Sequence, residues 1–294
     1  MQEKLILFGG TGFVGFNVLC KALSRGYKVV VPTRHGTPSP QTPLGALVKR
    51  VKEVGGQQAG METTEGGGKI NTKIPLSEKN STDTLNFVCV EATDKSQVHD
   101  MLREHADATV VISCIGILTL NYEQAIKING EANLNIIKGL SDSKLLPNLK
   151  KFVYISAEPY NKYCPTIFDN QHLLKGYFEG KQSVEQAIFK DLGVFGVVIR
   201  PGFIYGTRYA TVPFTQTALP VPLGLAGYPF HLLFKVMKGD KLLTPPVDVK
   251  VVAETAIRAC AWVSRPELDF NGALDVYKML ELCSKSDPTL EHTE

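Results

Sequence analysis

The sequence predicts an α/β chain built on a doubly wound parallel sheet. Three observations predict it. A short, wholly apolar run, Leu5-Ile6-Leu7-Phe8, leads straight into a glycine-rich turn near the N-terminus. Apolar runs of strand length then alternate with stretches of helical periodicity along most of the chain, the order required by a parallel sheet with helices on both faces. Those runs are apolar at nearly every position rather than at alternate ones, as expected where both faces of a strand are covered.

Taken in order, "KLILF" is the first strand, and the helix after the glycine turn carries Val14, Val18, Leu19, Ala22 and Leu23 on one side, with Gly26 at its C-terminal end. "KVVVP" is the second strand and completes a right-handed βαβ unit. Beyond Arg34 the pattern weakens. Leu44, Leu47, Val48 and Val51 fall at helical spacing and predict a crossover helix, whereas residues 57–84, centred on "TTEGGGK", are rich in Gly, Thr, Ser and Lys and predict a flexible insertion. Alternation resumes with "NFVCV", the helical "KSQVHDMLREH", the strand "ATVVISCIG", the helical "YEQAIKINGEANLNIIKGL" and the strand "KKFVYIS". A helix around Tyr177 and the strand "FGVVIR" follow. After "RPGFIYG" the composition turns Pro- and Gly-rich. Residues 202–247, with the C-terminal end, are expected to form a small substrate or cap region on a single domain spanning 1–294, closed by the helix "VDVKVVAETAIRACAWV" and the short strand "GALDV".

Composition narrows the function. With 32 basic against 29 acidic side chains the net charge is +3, too balanced for a nucleic-acid binder. The six cysteines form no C-x-x-C pair, so they predict no metal site and read as small core residues in a reducing compartment. No secretory signal or transit peptide is visible, since Lys4 passes at once into the first strand. Residues 209–234 carry no acidic or basic side chain, but Pro213, Pro220, Pro222 and Pro229 forbid one continuous spanning helix. That stretch either folds back as an apolar cap over a cleft or presents a greasy edge to a membrane, a lipophilic substrate or a partner protein.

The glycine turn points to a dinucleotide. "FGGTGFVG" places Gly9, Gly12 and Gly15 between a strand and a helix, and Gly10-x-Gly12-x-x-Gly15 also fits the dinucleotide fingerprint. A pyrophosphate there needs backbone N–H groups, a helix N-terminus and no obstructing side chain. Gly12 admits the phosphates, Gly15 lets helix and strand pack closely, and Thr11, Phe13 and Val14 complete the turn that meets the cofactor. At the end of the second strand, where an acid would hold the adenosine ribose hydroxyls of NAD, stand Thr33 and Arg34. Arginine suits a 2′-phosphate, so NADP is preferred over NAD, with a solvated loop arginine as the alternative. Asp94, in "VEATD", is placed either to read an adenine edge, to cap the helix "KSQVHDML", or both. Cys114 and Gly116, in "SCIG", border the adenosine side of the cofactor.

One more stretch carries chemistry. In "GYFEGKQSVEQAI" the residues Val184, Ile188 and Leu192 form an apolar helical stripe that continues backward to Lys181 and Tyr177. A lysine on a core-facing stripe needs a partner. Either its head snorkels to water while Tyr177 packs its ring, or the two face a bound group. Gly180 between them marks a close approach by the cofactor or by a neighbouring helix.

The glycine turn, this Y-x-x-x-K pair and "RPGFIYG" after the next strand, in that order, resemble the short-chain dehydrogenase/reductase superfamily, in its extended and atypical branches. "YFEGK", "RPGFIYGTR" and "TPPVDVKVVAETAIRA" are most similar to a group of organellar NAD(P)-binding proteins that includes a coenzyme Q biosynthesis protein, and more distantly to the nucleotide-binding accessory subunit of mitochondrial complex I. The resemblance implies a Rossmann domain in which Tyr177 is the general acid/base and Lys181 holds the nicotinamide ribose. It sets Pro201, Gly202, Phe203 and Ile204 beside the nicotinamide. A nearby ammonium favours the phenolate of a tyrosine whose ordinary pKa is ~10. One departure stands out. The hydroxyl that polarises the substrate carbonyl in active members falls on Ala157, with Ser156 one position early as the catalytic hydroxyl on offer, and Tyr160, Asn161 and Tyr163 in the following loop as other donors. Asn129 occupies a helix position that is often polar in the family. Two functions follow: an NADP-dependent oxidoreductase or epimerase acting on a small or lipophilic carbonyl compound, or a non-catalytic nucleotide-binding subunit of an organellar membrane complex. The implied location is the matrix side of the mitochondrial inner membrane, with plastid or cytoplasm as alternatives.

Overall fold

The computed structural model of the chain describes residues 3–42, 44–46, 48, 49, 59–65, 68–74, 84–158, 174–211, 218–222, 244–261 and 272–284. Its centre is a seven-stranded sheet formed by β1 (Lys4–Phe8), β2 (Lys28–Thr33), β3 (Leu85–Cys89), β4 (Val110–Ser113), β5 (Lys151–Ile155), β6 (Gly196–Ile199) and β7 (Ala273–Leu274), in the order β7-β6-β5-β4-β1-β2-β3. Every pairing is parallel. The order reverses at β1, so β1 and β4 flank the crevice where a doubly wound sheet binds its ligand.

The apolar runs explain the layers. Successive strand residues point to opposite faces. Leu5 and Leu7 of β1 therefore join a core with Val29, Val31, Val153 and Ile199, while Ile6 and Phe8 join a second core with Val30, Val111, Phe152 and Val198. On the first face lie helices α1 (Phe13–Ser24), α5 (Val249–Ala261) and α6 (Val276–Ser284), contributing Val18, Leu19, Val252, Ala256 and Met279. On the second face lie α2 (Lys95–Glu104), α3 (Tyr122–Leu140) and α4 (Lys175–Ala187), contributing Val98, Leu102, Ile136 and Val184.

Helix α3 is not uniform. An α-helical turn, Tyr122–Ala125, passes into a π-helical stretch, Ile126–Glu131, and then into a regular segment, Ala132–Leu140. Two amide side chains take up carbonyls along it: Asn129 Nδ2 donates to the Ala125 carbonyl at 3.0 Å, and Asn133 Nδ2 to the Asn129 carbonyl at 3.0 Å. Apolar periodicity at helical spacing does not reveal such a stretch.

Further differences concern the margins. Within 57–84, Ala59–Glu65 and Gly68–Ile74 pair as an antiparallel hairpin outside the main sheet. Of the stripe predicted as a crossover helix, Leu44 and Val48 are buried, whereas Leu47 and Val51 lie outside the described residues. Past β6, Ile204–Tyr205 pairs parallel with Val247–Asp248, and Thr207–Thr211 pairs antiparallel with Ala218–Pro222. The rest of 209–234 lies outside the described residues, as do Tyr160, Asn161 and Tyr163. No helix among the described residues is long and apolar enough to cross a membrane.

Candidate cofactor and active site

The glycine turn joins β1 to α1 and is shaped by its own backbone. Gly9 has φ +72°, and a Cβ there would stand 2.8 Å from the backbone of Cys114 at the end of β4. A Cβ on Gly15 would lie 2.1 Å from the Gly9 carbonyl oxygen, so only glycine lets the first turn of α1 press onto the loop. The Gly12 amide donates to the Gly9 carbonyl at 3.0 Å, and Gly12 stands at the N-cap of α1 with no side chain capping it. A Cβ on Gly12 would meet nothing within 4 Å except that Gly9 oxygen. The helix therefore begins with open space before it and no acidic residue in its first turn, which is what a pyrophosphate requires. Thr11 is exposed, and Phe13 and Val14 are half-buried, with Phe13 reaching toward Gly206 after β6.

At the adenosine end, Arg34 follows β2 and is exposed. Asp94 is the N-cap of α2: Oδ1 accepts from the amides of Ser96 and Gln97 at 2.9 and 3.2 Å, and Oδ2 from Gln97 Nε2 at 3.0 Å. Those amide bonds hold its carboxyl below the ordinary range. The capping alternative for Asp94 is thus realised.

At the other end, α4 carries Tyr177 and Lys181. Lys181 is buried, and Nζ donates to the Ile155 carbonyl at the end of β5 at 2.7 Å. The same ammonium stands 4.8 Å from the Tyr154 ring centroid and 5.8 Å from that of Tyr177. Burial lowers its pKa to about 8. Gly116 lies directly above: a Cβ there would come within 3.2 Å of both Lys181 Nζ and Asn129 Oδ1. Gly116 is itself exposed, so these buried polar atoms lie directly beneath an exposed glycine. Asn129 is otherwise tied to the adjoining loop, accepting from the Ile117 amide at 2.9 Å and donating to the Ile117 carbonyl at 3.0 Å.

The glycines of α4 serve the neighbouring helix. A Cβ on Gly180 would lie 3.0 Å from the Gly130 amide nitrogen, and one on Gly176 only 2.6 Å from the Tyr122 carbonyl oxygen. Of the two partners open to Gly180, the helix is the one in place.

Ser156 is buried, and its hydroxyl donates to Glu185, one turn beyond Lys181 on α4. Arg200 grips the same carboxylate with Nε at 3.1 Å from both oxygens and with a further bond from Nη2. This Ser156–Glu185–Arg200 chain ties the ends of β5 and β6 to α4. Glu185 has no motif of its own, but it sits on the stripe that begins at Tyr177 and Lys181. Pro201 accepts from the Glu158 amide at 2.9 Å, and the Phe203 carbonyl from the Val247 amide at 2.9 Å, which sets Gly202 between two anchored points, with Ile204 next in the chain and paired with Val247.

The ends of β1, β4, β5 and β6 therefore carry the glycine turn, Cys114 and Gly116, Ser156, and Pro201 to Ile204, while Arg34 follows β2 and Asp94 precedes α2. Residues 5–220 match the NAD dependent epimerase/dehydratase family. The chain belongs to that family. As a family member it is an NAD(P)-binding protein of the short-chain dehydrogenase/reductase type. It is 28% identical over 295 residues to an uncharacterized chloroplastic protein of Arabidopsis thaliana, covering 97% of this chain and 78% of that protein. It is 25% identical over 301 residues to MIOREX complex component 2 of Saccharomyces cerevisiae, covering 96% and 100%. A short-chain type dehydrogenase/reductase of Mycobacterium ulcerans shares the fold with a TM-score of 0.59 at 15% identity, over 95% of this chain and 91% of that one. Gre2 of Candida albicans, solved with NADPH, does so with a TM-score of 0.56 at 16% identity, over 93% and 77%.

Proposed function

We propose that this family member is an NADP(H)-dependent oxidoreductase or epimerase acting on a small or lipophilic carbonyl compound, with Tyr177 as its proton donor and acceptor. The observation that carries this reading is the Lys181 ammonium, buried beneath Gly116 and beside the Tyr177 ring. A buried ammonium is costly, and Lys181 offsets part of that cost through the Ile155 carbonyl and two aromatic rings. The glycine turn would hold the pyrophosphate, Lys181 the nicotinamide ribose, and Arg34 the 2′-phosphate. The dinucleotide supplies the hydride chemistry when bound. Lys181 favours the Tyr177 phenolate, so the tyrosine can take or give the proton that accompanies a change at the carbonyl.

A second reading has its own support. Ala157 has no hydroxyl with which to polarise a carbonyl, and the Ser156 hydroxyl is engaged by Glu185. In that reading the nucleotide braces a subunit of an organellar membrane complex, which agrees with the name of the yeast relative. The chloroplastic relative supports an organellar location, the plastid or the mitochondrial matrix side, for either reading. Residues 202–247 are assigned as the cap. Purified protein assayed for NADPH binding, then for NADPH oxidation against a panel of carbonyl compounds, separates the two: binding with turnover supports the enzyme, and binding without it the subunit.

A further inference from the structure

We propose that Tyr154 is a positioning residue of the site, holding the Lys181 ammonium in place with the face of its ring; the consequence for nucleotide binding rests on the dinucleotide reading above. Tyr154 is fully buried, and its ring centroid lies 4.8 Å from Lys181 Nζ, closer than the 5.8 Å to the Tyr177 ring. The next residue of β5, Ile155, supplies the carbonyl to which the same nitrogen donates at 2.7 Å. Two successive residues of one strand therefore receive the ammonium, one by a ring face and one by a lone pair. Their side chains point to opposite sides of the sheet: Tyr154 joins the second core with Phe152 and Val184, and Ile155 joins the first. An aliphatic residue would fill that second core. A ring adds a negatively polarised face, which attracts a cation most strongly where water is excluded.

The ring is held from behind. Its hydroxyl donates to the Asn129 carbonyl at a long 3.5 Å, and that carbonyl also accepts from Asn133 Nδ2 at 3.0 Å. Asn133 Oδ1 in turn accepts from Ser113 Oγ at 2.6 Å, and Ser113 lies beside Tyr154 in the sheet. Ser113, Asn129 and Asn133 are all fully buried. The π-helical stretch of α3 and the ends of β4 and β5 are thus joined around the ring. Because the Asn129 carbonyl has a second, shorter donor, Tyr154→Phe leaves no acceptor unpaired. Within "KFVYI" the tyrosine reads as one more core residue, and only its distance to Lys181 sets it apart.

The electrostatics agree. The groups facing Lys181 are Cys114 at the end of β4, Tyr154 on β5, and Tyr177 and Glu185 on α4. Burial pushes the Cys114 thiol up to about 12. Burial, with Tyr177 and Glu185 adding to it, raises the Tyr154 hydroxyl well above its ordinary range. Both stay neutral below pH 10, and Glu185 is paired with Arg200.

The test is a pH titration of Lys181 in the nucleotide-free full chain, followed by NMR of isotope-labelled lysine side chains, with Lys181→Met assigning the signal. Wild type should titrate at about 8. Tyr154→Leu should titrate about one pH unit lower, a ~10-fold change in the proton equilibrium for loss of one buried cation–π contact. Tyr154→Phe should match wild type, since it keeps the face. Phe152→Leu, which removes a ring from the same core and the same strand, should leave the midpoint where it is. NADPH affinity at pH 9 should fall ~10-fold in Tyr154→Leu, because less of the ammonium is present to bind, and hold in Phe152→Leu. If Tyr154→Leu does not fold, pentafluorophenylalanine at position 154 keeps the ring, reverses the polarity of its face and should lower the midpoint likewise. An unchanged midpoint in Tyr154→Leu or in the fluorinated protein, or an equal shift in Phe152→Leu, overturns the proposal. A shifted midpoint in a protein that binds no NADPH overturns the dinucleotide reading and leaves Tyr154 as the residue that positions Lys181.

Discussion

Lys181 Nζ donates to the carbonyl oxygen of Ile155 at 2.7 Å, joining the middle of α4 to the end of β5. This bond keeps the lysine head under the sheet edge, where burial lowers its pKa, instead of letting it extend to water. A surface lysine could have served the helix equally well. The fold offsets part of that desolvation through the Ile155 carbonyl and the rings of Tyr154 and Tyr177.

The cost has a pH signature. Lys181 releases its proton at about 8 in the folded protein, against the ordinary 10.5. Below about 8 the group is charged in both states, and its burial opposes folding in full. Between about 8 and 10.5 the unfolded chain holds the proton that the folded protein has lost, so stability rises with pH. Denaturant unfolding without nucleotide should therefore show wild type gaining stability relative to Lys181→Met across that window. A difference that stays constant from pH 7 to pH 10 would contradict the buried charge.

Gly180 gives a packing prediction. With a Cβ site 3.0 Å from the Gly130 nitrogen and 3.1 Å from Asn129 Cβ, a branched side chain must push α3 from α4. Gly180→Val should lose about 1–3 kcal/mol of stability, the usual cost of overpacking, and weaken NADPH binding because Asn129 and Lys181 share that contact. Unchanged melting and binding would show that the helices have slack.

Ser156 and Glu185 discriminate a structural hydroxyl from a catalytic one. Removing a hydrogen bond to a buried carboxylate costs roughly 1.5–3 kcal/mol, so Ser156→Ala should lower stability by that order. If the hydroxyl only serves Glu185, kcat of the folded variant should stay near wild type. A kcat lower by ~100-fold with stability intact would make Ser156 the carbonyl donor after all, at the scale of an acid–base contribution.

The sheet was legible because its central strands are buried on both faces and so stand out as unbroken apolar runs; β1 is covered at Leu5 and Leu7 by one core and at Ile6 and Phe8 by the other. The tight glycine turn was legible because Gly9 and Gly15 answer contacts that exclude a side chain. The π-helical stretch was not, since the amides of Asn129 and Asn133 that accompany it look like ordinary polar helix residues. Helix α6 was missed because its buried residues, Val276, Met279 and Leu282, make an apolar stripe only nine residues long. Glu185 was hidden for a different reason. It owes its place to Arg200, a partner that local periodicity cannot reveal.

The central claim is that Tyr177, held beside the buried Lys181, moves the proton, and Tyr177→Phe tests it most directly. The variant keeps the ring beside the ammonium and removes only the hydroxyl. With the carbonyl compound on which wild type oxidises NADPH fastest, the account predicts loss of kcat by ~100-fold or more, with NADPH affinity close to wild type. Undiminished kcat in Tyr177→Phe, or a wild type that binds NADPH yet turns over nothing, would contradict it.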